Sequence, residues 1–150
     1  MKAVYVLIAW FTFTTDHTTD GLEEVRLNYA RAVENKELCR EMIERFEKKT
    51  KNAIEQAYLG GFQAIWAKHA FNPLKKLESF NNGRQAIEAA VQKEPFDVEV
   101  RCIRLSVQNN APSILGYTGN IKEDRDFINA NRAKITSPAL QRMADKLIYE

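Results

Sequence analysis

"DVEVRCIRLSVQN", residues 97–109, carries apolar side chains on two sides at once. Projected on a helix at about 100 degrees per residue, Val98, Cys102 and Leu105 fall together. Val100, Ile103 and Val107 fall on nearly the opposite side. A helix that is apolar on opposed faces is sandwiched between neighbours, because each face needs its own apolar cover. Arg101, Arg104 and Gln108 share one edge between the two faces.

Working outward, the chain before and after this stretch also has helical spacing, with capping chemistry at the joints. Leu22, Val25, Tyr29 and Val33 repeat at helical intervals behind Asp20 and Glu23, which form a capping box. Leu38, Met42, Ile43 and Phe46 follow on one side of a second helix that starts after Asn35. Asn52 with Glu55 opens a third, and Asn72 caps a fourth whose first position is Pro73, where proline costs little. That fourth helix passes through Gly83 and ends before Pro95. Pro112 starts a short turn of helix within "APSILGYTGN" (111–120). Asn120 with Glu123 makes another capping box, and Ser137-Pro138 starts the last helix. In the third helix Tyr58, Phe62, Ile65 and Trp66 make an aromatic face. Ala57, Gly61 and Ala64 make a small-residue face for close helix approach. The expectation is an all-α fold of antiparallel helical hairpins with short connections.

"GRQAIEAAVQKEP" (83–95), with Gly83, Ile87, Ala90 and Pro95, resembles the second helix of a tetratricopeptide repeat (TPR), and "DVEVRCIRL" resembles the start of the next repeat. Leu59-Gly60 suits the first-helix signature. About eleven extra residues separate it from the second helix, so a regular 34-residue period is absent. "AKHAFNPLKKL" and "LGYTGNIKEDRDFI" are similar to segments of small bacterial helical proteins of unassigned function. What the TPR resemblance implies is a stacked, TPR-like array over residues 20–150 that binds a protein or peptide in a groove.

Composition narrows the function classes. The chain has 150 residues, 45% of them apolar and 28% charged, enough for one domain with a core. A net charge of +2, with both signs interspersed, gives no nucleic-acid signature. Lys48, Lys49 and Lys51 sit where the second helix ends and complement its dipole. Cys39 and Cys102 have no metal-ligand spacing and fall among apolar neighbours, as buried thiols do; export would permit a disulfide between them. "MKAVYVLIAWFTF" (1–13) pairs a basic start with an apolar run of signal-peptide length, too short for a bilayer span. Residues 1–19 are therefore expected to be an export signal or N-terminal anchor with a polar linker, placing the protein in the periplasm or cell envelope. If the run is instead structural, the protein is cytoplasmic.

Two groups of polar residues stand out. In "IWAKHAFNP" (65–73), His69 joins the aromatic face beside Trp66, and Lys68 projects along the small-residue face. Together these three suit a pocket for an anionic group; the plainer reading is a satisfied histidine at a helix end. In the helix after Asn120, Asp124 falls between Phe127 on one flank and Ile121 and Ile128 on the other. A carboxylate on an apolar face needs a partner, so Asp124 is expected to pair with Arg101 or Arg104. The arginine left over would act as a carboxylate clamp on a concave surface, with Gln108 and the Tyr117 hydroxyl near it. Glu123, Asp124 and Asp126 are first-turn acids that suit the helix dipole better than a metal. No GxSxG, P-loop or GxGxxG is present, and no cofactor is implied. The function expected is a non-catalytic binding or scaffold module. The alternative is a small-ligand-binding protein or enzyme with a polar pocket around Trp66, Lys68, His69, Arg101 and Asp124.

Overall fold

Short polar side chains punctuate the chain into helices. Asn35, Asn52, Asp97 and Ser137 each accept a hydrogen bond from the backbone N–H three residues on, and Asn72 accepts from both Leu74 and Lys75. Each bond satisfies a donor that the first helical turn leaves unpaired. The computed structural model describes residues 17–49 and 52–150. Its seven α-helices are α1 (His17–Arg31), α2 (Lys36–Glu47), α3 (Ala53–His69), α4 (Pro73–Lys93), α5 (Val98–Asn110), α6 (Ile121–Asn131) and α7 (Pro138–Tyr149). Short 3-10 turns at Ser113–Leu115 and Arg132–Lys134 precede and follow α6. Among the described residues there is no strand, and the fold is all-α. No described helix is long and apolar enough to cross a membrane.

The two faces of α5 are both covered. Val100, Ile103 and Val107 join a core with Tyr29, Cys39, Phe46, Tyr58, Phe62 and Ile87. Cys102 and Leu105 join a second core with Ile128, Leu140, Ala144 and Leu147, with Val98 packed against it. Helix α5 accordingly packs on α3 and α4 and also on α6 and α7. The cysteines are separate free thiols, one in each core. Burial pushes the Cys39 thiol up to about 12 and the Cys102 thiol higher still, which disfavours the thiolate at both.

Helix α3 runs antiparallel to both of its neighbours. The Cys39 thiol donates to the Phe62 carbonyl and Lys49 reaches Glu55, fixing α2 against α3. Ser79 donates to the Gln63 carbonyl and Lys93 to Gln56, fixing α4. The α3–α4 approach is close because Gly60 and Gly83 face each other. A Cβ on Gly60 would lie 2.5 Å from the Gly83 carbonyl oxygen, and one on Gly83 would lie 2.5 Å from that of Gly60. The small-residue face expected at Ala57, Gly61 and Ala64 is thus shifted: Gly60 and Ala64 meet α4, whereas Gly61 makes room for the Tyr29 ring.

Three further boundary expectations are corrected. Helix α1 begins at His17, so residues 17–19 belong to a helix rather than a linker, and Asp20 does not start one. Glu23, read as half of a capping box, instead accepts from the Ser137 hydroxyl and the Ala139 N–H at the start of α7. Asn120 makes no cap bond to α6, because its side chain is held between Gln108 and Glu123. The apolar run of residues 1–13, read as an export signal, lies outside the described residues.

Candidate functional site

The edge of α5 between its two cores carries an ionic cluster. Asp124 is 0% exposed and accepts from two guanidinium groups. Arg101 Nη1 donates to its Oδ1 at 2.6 Å, while Arg104 Nε and Nη2 donate to Oδ2 and Oδ1 at 2.7 Å each. Such bidentate pairing supplies the compensation that a buried carboxylate requires. The expected pairing is therefore found with both arginines, and neither is left over as a clamp. Arg101 also donates to the Pro95 carbonyl and to Glu123, and Arg104 reaches Glu88. Burial opposes the charge on Arg104, but the bonds and field of Asp124 outweigh it and raise its pKa. Glu88 in turn accepts from the Tyr117 hydroxyl at 2.6 Å. Burial, with Glu88 beside it, pushes that phenol far up, so it stays a proton donor in the fold. Gln108 donates to Asn120, and its buried carbonyl oxygen has no partner. This cluster ties α4, α5 and α6 together.

A second buried carboxylate, on the α1 side of α5, escaped the sequence reading. Glu99 is 4% exposed and accepts from Arg26 Nε at 2.8 Å, Arg26 Nη2 at 2.6 Å and the Tyr58 hydroxyl at 2.7 Å. Nearby, the Tyr29 and Ser106 hydroxyls are 2.8 Å apart. Arg26 lies 73 positions away from Glu99. Only its place between Val98 and Val100 on a helix that is apolar on two sides could have signalled it.

The group around Trp66 is placed elsewhere. His69 Nε2 lies 2.8 Å from the Ala32 carbonyl at the end of α1, a satisfied histidine at a helix terminus. Lys68 pairs with exposed Glu34. Trp66 is half-buried and floors an open cleft of about 330 Å³ between α2 and α4, lined also by Arg40, Ile43, Glu44, Glu47, Gln63 and Lys75. The Lys36 ammonium sits 5.6 Å from the Trp66 ring centre and 5.1 Å from that of Phe71. Phe71 is 92% exposed and Leu74 77% exposed, with half-exposed Leu77 one turn further along α4. Lys36 joins Trp66 and Phe71 into one exposed aromatic surface, and exposed aromatic side chains of this kind mark an interaction site more often than they serve the fold.

The structure does not assemble the pocket expected around Trp66, Lys68, His69, Arg101 and Asp124. Tyr58, near the start of α3, meets Glu99 at the start of α5. His69 is eleven residues further along α3, roughly 16 Å away along its axis. The second hollow, of about 180 Å³ between the starts of α5 and α7, contains none of these residues. Sequence reasoning also missed Lys36 and Phe71, whose exposure depends on how the α3–α4 hairpin is seated. No known family, curated protein or solved structure matches the chain.

Proposed function

We propose that this chain is a non-catalytic binding module of stacked, TPR-like hairpins, and that a protein partner docks on the surface where Lys36 joins Trp66 and Phe71. The observation that carries the reading is the near-complete exposure of Phe71, which shares the Lys36 ammonium with Trp66. Aromatic anchors with a cation beside a partly buried tryptophan are the composition of binding hot spots. The alternation of helices supports the TPR-like part: α3, α5 and α7 touch one another in turn, as α4 and α6 pack between them. The ionic residues of α5 serve as internal ties in this reading and leave the outer face of the α2–α4 hairpins for the partner.

The test places a photo-crosslinking phenylalanine analogue at Phe71 in the native host, with Phe96 as a control that is equally open at 81% exposure. One defined protein adduct from position 71 and none from position 96 is expected. The same adducts from both positions, or none from 71, would overturn the reading.

A further inference from the structure

Three lysines stand near Trp66, and they are held in different ways. Lys68 pairs with Glu34 and Lys75 with Glu78, each on an exposed carboxylate. Lys36 is held by rings instead: its ammonium lies 5.6 Å from the centre of Trp66 and 5.1 Å from that of Phe71. Lys36 is also the first residue of α2, where the positive pole of the helix dipole opposes a cation. The start of α2 does not need its side chain, because Asn35 caps the Leu38 N–H. A cation kept on two ring faces against its own helix dipole reports the attraction of those faces. Trp66 packs against the larger core beside the His69 ring, which lies 6.1 Å away and is itself held at the Ala32 carbonyl. Phe71, in the connection between α3 and α4, stays open to a partner at 92% exposure.

We propose that Trp66 and Phe71 form a clamp for an arginine side chain of the partner protein, with Lys36 as the resident cation that the arginine displaces. This rests on the docking reading above and names the chemistry that the partner brings. The ligand class follows from the group already seated between the rings. A guanidinium is planar, weakly hydrated and stacks on aromatic faces, whereas an ammonium is compact and strongly hydrated. Arginine therefore gives up less water on entering, and Lys36 returns to solvent on its flexible stem. The sign of the Lys36 effect separates this ligand from an acidic one. A partner carboxylate would use Lys36 and weaken when the lysine is removed; an arginine is obstructed by Lys36 and strengthens.

The probe is N-acetylarginine amide, titrated into the full chain and followed at the Trp66 indole N–H resonance. N-acetylcitrulline amide serves as its uncharged isostere. The parent should bind the arginine weakly and the citrulline not measurably. Lys36→Ser should tighten arginine binding about three- to sixfold, the fold-change of vacating one exposed cation–π contact. A general effect of removing positive charge would appear equally in Arg31→Ser, an exposed cation at the end of α1. That variant should change the affinity less than twofold. Adding Phe71→Ser to Lys36→Ser should abolish the saturable shift, and Phe71 is too exposed for its loss to disturb the fold. Arginine binding no better than citrulline, no gain on removing Lys36, an equal gain from Arg31→Ser, or binding that survives without Phe71 overturns the proposal. If Phe71 still crosslinks to a defined partner in that case, the docking reading survives; if it does not, both fall.

Discussion

Helix α5 carries a buried carboxylate system on each of two flanks, and the two are built differently. On the α6 flank one carboxylate, Asp124, is shared by two arginines from α5 itself. On the α1 flank α5 supplies the carboxylate, Glu99, and receives one arginine and one tyrosine from elsewhere. Each arginine has a second acid, Glu23 for Arg26, Glu123 for Arg101 and Glu88 for Arg104. The Arg26 side chain, however, is 13% exposed against 9% and 5% for the other two, and two guanidinium groups depend on Asp124 where one depends on Glu99. A charge with a wider route to water loses less when its first partner is removed. The α6 flank is therefore the stiffer joint and the α1 flank the more forgiving one.

The largest effect tests the stiffer joint. Asp124→Ala takes the shared inner carboxylate from two buried guanidinium groups, leaving them only the half-exposed outer acids Glu123 and Glu88, and is expected to cost about 3–5 kcal/mol by denaturant unfolding. Hydrogen exchange should quicken first in α6. Glu99→Ala should cost less, about 2–3 kcal/mol, because it deprives one guanidinium group rather than two, and that one is the more exposed and keeps Glu23, while the Tyr58 hydroxyl alone is stranded. Its exchange should quicken in α1 and leave α6 protected. Equal losses, or a larger loss at Glu99, would break the distinction between the flanks.

That difference also explains what the sequence disclosed. Asp124 pairs across a hairpin, 20 and 23 positions from its arginines, so an acid on an apolar face and cations on the preceding helix were enough to join them. Glu99 finds its partners 41 and 73 positions away, and helical periodicity carries no information about which distant helix covers a face. The two-sided apolar pattern of α5 gave its sandwiching correctly because burial of each face is a local demand. Capping was legible at Asn52 and Asn72, as were the helix starts at Asn35 and Ser137, where the side chain answers to its own backbone; the cap at Asp97 was not read. The same signal misled at Glu23 and Asn120, whose side chains answer instead to α7 and to Gln108. The docking surface was half legible: Trp66 stood out by type, but Phe71 became notable only once packing had left it uncovered.

The smallest effect sharpens the comparison through the outer acids, Glu23 on one flank and Glu123 on the other. The bond from Arg101, aided by Asn120, holds the Glu123 carboxyl below its ordinary value of 4.5. For Glu23 burial acts upward, but the bonds from Ser137, Ala139 and Arg26 together bring it below the same value. A carboxyl lowered by folding adds stability that is whole above the unfolded value and is lost as the pH falls through the folded one. Glu123 is largely exposed, so Glu123→Gln should cost less than about 1 kcal/mol at pH 7. The gap between parent and variant should then narrow as the pH drops below 4.5, where the parent's carboxyl also loses its charge. Urea unfolding at pH 7 and at successively lower pH measures it. A gap that stays constant across that range would mean that Arg101 gains nothing from the outer acid and that Asp124 alone anchors the α6 flank.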